Sequence, residues 1–230
     1  SDTIQMTTAA TLTDAGFLKA SSVETLKLTG ASTITLGANA ASAGIVNVIT
    51  GTGATSITDS NGITLNVDAA ALANNTALTL VGSAAEVVTG LIGNITAGSL
   101  TGALTVTTGD ATDNTIAITT GSAATSIAAS GTSDVVTVTA TTLADNATLT
   151  LAGSAAQTVT GLRGDLAAGG VSGALNVTTV AVASGLSIAT GSGSNTITAS
   201  ALTAGQTLTL TGSSAATVTL NAGNLSAGTY

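Results

Sequence analysis

Leu149 to Thr179 reads LTLAGSAAQTVTGLRGDLAAGGVSGALNVTT, and Leu78 to Thr108 reads LTLVGSAAEVVTGLIGNITAGSLTGALTVTT. The two align without a gap and agree at roughly two-thirds of their places, far more than shared composition gives, so they are copies of one unit. A third copy, LTLTGSSAATVTLNAGNLSAGTY, starts at Leu208 and stops inside the unit at Tyr230. A degenerate copy, LKLTGASTITLGANAASAG, starts at Leu26. The chain therefore divides into a lead-in over 1–25, a degenerate repeat over 26–77, repeats over 78–148 and 149–207, and a truncated repeat over 208–230. A chain that stops in mid-repeat is expected to be a fragment of a longer one, one continuous stack rather than separate domains.

Inside each copy, short runs such as TLTLA, QTVT and ALNVT alternate an aliphatic with Thr, Ser or Asn. A period of two sends alternate side chains to opposite faces of a strand, so Leu149 and Leu151 are predicted inward while Thr148 and Thr150 point out. Gly, Asn, Asp and Ser fill the gaps, as turns require. The pattern predicts an all-β chain, a parallel β-solenoid of stacked short strands, with a tandem array of β-sandwiches as the alternative. Copy starts lie 71 residues apart from Leu78 to Leu149 but 59 from Leu149 to Leu208. The difference is about one strand with its turn. A solenoid tolerates such a loss because each coil touches only its neighbours. Gly98, Gly102, Gly169 and Gly173 recur in the loop before each ALxV strand and are read as corner geometry.

Composition narrows the function. Charged residues make up 6% and aromatics 1%, with no Pro, Cys, His or Trp and a net charge of −8. A core with so few aromatics must be thin and filled by Val, Ile, Leu and Ala. Only Lys19, Lys27 and Arg163 are basic, which excludes a nucleic-acid interface built on clustered cations. No run approaches the roughly 18 apolar residues of a membrane span. Without His or Cys there is no Ser-His or Cys-His nucleophile. The acids are scattered, with barely any aromatic or basic residues to hold a sugar, so no catalytic residue is assigned and the chain is read as a non-enzyme.

TGSGSNTIT, Thr190 to Thr198, has relatives in TGTGATSIT from Thr50, TGSAATSIA from Thr120 and GDATDNTIA from Gly109. These resemble the RTX nonapeptide of bacterial type I-secreted proteins, GGxGxDxUx, with Ile57, Ile116, Ile127 and Ile197 at the aliphatic place. The sixth place, aspartate in the calcium-binding form, holds Thr55, Asn114, Thr125 and Asn195, so the family's calcium ligands do not carry over. SSVETLKLTG, Ser21 to Gly30, resembles the strand found beside such blocks. The Thr/Ala/Gly/Ser-rich, low-charge, cysteine-free composition resembles surface-layer proteins and giant repeat adhesins. The resemblance implies an extracellular, bacterial cell-surface protein.

One metal candidate stands beside the reading without cofactors. Asp110, Asp113 and Asn114, in TGDATDNT, offer oxygen ligands for calcium, against a bland reading as solvated turn residues. Asp59 with Asp68, flanking one strand, is a second. Outward threonine pairs such as Thr33/Thr35, Thr137/Thr139 and Thr196/Thr198 suit an ice-binding array, but Thr occurs on nearly every strand rather than on one chosen side. The functional expectation is a structural, self-associating segment of a secreted surface layer, matrix fibre or adhesin stalk. Its partners would be copies of itself and cell-surface components. An ice-binding or other adhesive module is the alternative, and a polysaccharide-active β-helix enzyme the remote one.

Overall fold

The computed structural model describes residues 2–111, 115–131, 133–183, 185–203, 205–213 and 217–222. Among these residues, twenty-two strands form two eleven-stranded sheets. The chain visits the sheets alternately, so consecutive strands never pair and every hydrogen-bonded neighbour lies two strands away. We call the sheet that starts with Thr3–Gln5 sheet A and the one that starts with Ala10–Leu12 sheet B. All pairings are parallel, as between Thr125–Ala129 and Thr148–Gly153 in sheet A or Val135–Thr139 and Ala156–Leu162 in sheet B. A parallel pair needs a crossover to bring the chain back. Here the crossover is a strand of the facing sheet. This is a two-sided parallel β-solenoid, and the sandwich alternative is excluded.

The period-two pattern sets what lies between the sheets. Leu149 and Leu151 are buried while Thr148 and Thr150 face out. Like residues stack on like through the register: Val48, Val67, Val88, Val106 and Ile127 form one column of sheet A. Ile118, Val138, Val159, Val177 and Ile197 form one of sheet B. Each buried aliphatic of this size stabilises the fold by about 1.5–3 kcal/mol. Among the described residues the one helix longer than a single turn is Ala38–Ala43. The Asp14 carboxylate caps its start, accepting from the backbone N–H groups of Gly37, Asn39 and Ala40 at 2.8, 3.1 and 2.9 Å.

The variable copy spacing has a structural account. Leu78 lies in Ala77–Gly82 of sheet B, whereas its counterpart Leu149 lies in Thr148–Gly153 of sheet A. Seven strands separate these starts, and six separate Leu149 from Leu208. What differs is thus one strand with its turn, half a coil rather than a whole one. An odd number of strands moves a copy to the opposite sheet. The two inner faces are equivalent in kind, so the same sequence packs on either.

The TG pairs of the nonapeptide-like stretches are explained by the coil beneath them. A Cβ on Gly191 would lie 1.8 Å from the Val171 carbonyl oxygen, and one on Gly193 would lie 2.0 Å from that of Gly173. Two of the recurring loop glycines behave the same way: Gly102 and Gly173 pass close over Ala84 and Ala155. A Cβ on Gly98 or Gly169 would meet no backbone atom within 4 Å, so corner crowding explains only half of that set. Gly191→Ala is therefore expected to cost about 2–4 kcal/mol, and Gly169→Ala to change stability by less than about 0.5 kcal/mol. Equilibrium urea unfolding of the two variants checks this, and equal losses would contradict the packing described.

Candidate functional site

In three of the nonapeptide-like stretches the sixth place is described, and it points inward. Thr55, Thr125 and Asn195 are at most 2% exposed. Each bonds back to its own turn: Thr55 Oγ1 to the Gly53 carbonyl at 3.3 Å, Thr125 Oγ1 to Ala123 at 3.4 Å, and Asn195 Nδ2 to Gly193 at 2.7 Å and Gly191 at 3.3 Å. A donor in this place uses turn carbonyls as acceptors and so ties the coil without a cation. The aliphatic place is filled as expected, with Ile57, Ile116, Ile127 and Ile197 all buried.

Of the calcium candidates, Asp110 is exposed in the connection after Leu104–Thr108, and Asp113 and Asn114 lie outside the described residues. The acid placed against that turn is Asp134, 1% exposed, whose Oδ2 accepts from Ala111 N at 3.4 Å. Asp59 and Asp68 are not brought together. Asp59 ends a strand of sheet B with its side chain inward, and Asp68 ends a strand of sheet A with its side chain in solvent. Among the described residues no three acids, histidines or cysteines gather to hold a metal ion.

Asp59 instead neighbours Glu86. Glu86 starts a strand of sheet A and occupies an inward column between Leu65 and Leu104. Both acids are essentially unexposed, at 0% and 1%. Asp59 Oδ1 accepts from Asn61 N at 3.0 Å, but its Oδ2 and both Glu86 oxygens have no hydrogen-bond partner among the described residues. Burial pushes the Glu86 carboxyl up to about 9, and the Asp59 carboxylate adds to the effect. Burial raises Asp59 as well, against the Asn61 hydrogen bond. Such a sealed pair can hold a proton, but it meets no substrate unless the coil opens. The alternation alone reveals it: two steps from Ile57 reaches Asp59, and two steps back from Val88 reaches Glu86, so both fall on the inward phase.

The outer faces differ. On sheet B the outward position holds Thr11, Thr33, Ser56, Thr79, Thr96, Thr119, Thr139 and Thr160 on eight successive strands in register. A second column, Thr137, Thr158, Asn176, Thr196 and Thr219, continues to the last strand. The one charged residue in a sheet B strand is the buried Asp59, so among the described residues no strand of this face presents a charge. Sheet A presents Lys27, Asp68 and Asp165 outward, and its matching column mixes Asn66, Val87, Thr105, Ser126, Thr150 and Ala167. Exposed threonines thus lie on both sheets, as with Thr105, Thr107 and Thr150 on sheet A, but the hydroxyl column unbroken over eight strands belongs to sheet B.

No family model, no curated protein and no solved structure matches this chain.

The buried acids make stability depend on pH. With Glu86 near 4.5 when unfolded and about 9 when folded, the folded chain retains a proton the unfolded chain has released. The Glu86 contribution to stability is therefore full below pH 4.5 and falls as pH rises toward 9, by up to about 1.4 kcal/mol per pH unit. Glu86→Gln is expected to match the parent near pH 4.5, exceed it by about 3 kcal/mol at pH 7, and flatten the slope. Urea unfolding across that range checks the sign. A parent whose stability rises with pH would contradict it.

Proposed function

We propose that the chain is a non-catalytic, structural, self-associating segment of a secreted bacterial cell-surface protein, a rigid rod or tile in a surface layer, matrix fibre or adhesin stalk. The observation that carries the reading is the pair of uninterrupted eleven-stranded ladders. Backbone hydrogen bonds run the length of the rod, and a continuous aliphatic core lies between the sheets. A body held this way transmits force and keeps its shape without a cofactor. Absence of His and Cys, and the sealing of the Asp59–Glu86 pair, support a role without chemistry. The RTX-like coils support the extracellular setting. Their inward Thr and Asn, bonded to their own turns, support assembly that does not depend on calcium. No helix among the described residues is long and apolar enough to cross a membrane.

A second reading, binding to ice, draws on the unbroken threonine columns of sheet B, an uncharged, regularly spaced array of methyl and hydroxyl groups.

Electron microscopy of the purified protein in calcium and in chelator tests the first reading. Ordered sheets or fibres are expected in both. Assembly confined to calcium would assign metal binding between molecules to the acids and overturn calcium independence. Isolated rods in both would favour a stalk or ligand-binding module, and slowed ice growth by those rods would select the second reading.

A further inference from the structure

We infer that the outer face of sheet B is the surface through which two copies of this chain pack, sheet against sheet. The inference rests on the self-association just proposed and names its surface and partner. Three observations select a second copy as the occupant.

The first is charge. The chain carries −8, yet the strands of sheet B present none of it, while sheet A carries outward Lys27, Asp68 and Asp165. Two such molecules approach with least repulsion through sheet B, leaving the charged side chains of sheet A apart and in water. The second is period. A partner that meets every rung must repeat at the spacing of a hydrogen-bonded ladder, about 4.7–4.9 Å. A second copy has that spacing by construction, so side chains stay in step along one column from Thr11 to Thr160 and along a second, two residues to its side, from Thr137 to Thr219. The third is area. Eleven rungs of roughly five-residue strands cover about 50 by 16 Å, or about 800 Å². That is the share each partner gives to a stable interface of ordinary size. Val135, 41% exposed and outward on the same face, adds an apolar contact at the edge of the columns. Facing sheets would sit about 10 Å apart with small side chains interleaved, which short Thr and Ser permit.

The test compares two double variants of equal charge. Thr96→Glu with Thr137→Glu places carboxylates on sheet B; Thr105→Glu with Thr150→Glu places them on sheet A. All four positions are exposed, so the fold is retained, and circular dichroism with thermal melts verifies it. Association is read by analytical ultracentrifugation over a concentration series. The sheet B variant is expected to weaken association by about 100-fold or more, since like charges face each other in the pair, with the sheet A variant within about 3-fold of the parent. Equal association of all three proteins would overturn the choice of face and leave self-association standing. Loss confined to the sheet A variant would do the same. A parent that stays monomeric at every concentration would overturn self-association itself, and a monomeric parent that slows ice growth would assign the face to ice.

Discussion

Everything in this fold depends on the chain returning to the same place one rung higher on each turn. A parallel ladder fixes the rise between neighbouring strands at about 4.8 Å, so no coil can be thicker than its backbone. Side chains must leave the ladder either into the thin space between the sheets or out into solvent. Turns must clear the turn below. The first demand selects Val, Ile, Leu and Ala inside and leaves Phe17 as the one buried aromatic among the described residues. The second selects glycine where Gly191 crosses over Val171 and Gly193 over Gly173.

The same constraint explains the freedom of the repeat. Because both sheets offer an equivalent inner surface, a copy can shift by one strand and land on the opposite sheet. The segments from Leu78 and from Leu149 do this. An outer face therefore is not inherited with the copy. The uncharged threonine face of sheet B is assembled strand by strand from different copies, and its continuity over eight rungs is a property of the folded rod rather than of any single repeat.

Much of this was legible in the sequence, for physical reasons. Alternation fixes which residues of a strand share a face, so Leu149, Leu151 and Ile197 read inward and fold inward. The close copies point to a stacked solenoid, and the spacing change from 71 to 59 residues does correspond to one strand. Stacking partners were not legible, because they lie about twenty residues apart at intervals that vary with each turn. The pairing of Asp59 with Asp68 failed for that reason: successive strands sit on facing sheets, and the phase turns one acid in and the other out. The neighbouring of Asp59 and Glu86 needs the same information across two sheets, although the inward phase of each was readable.

The most direct test of the account is a distance along the rod. Spin labels at Thr33 and Thr196, both outward on sheet B and eight rungs apart, can be measured by pulsed electron paramagnetic resonance in protein diluted with unlabelled chain. Eight rises of one parallel ladder predict a single narrow distance of about 38 Å. A much shorter or broad distribution would mean that the coils do not stack in one continuous ladder, and the threonine face, its lack of charge and the role built on it would go with them.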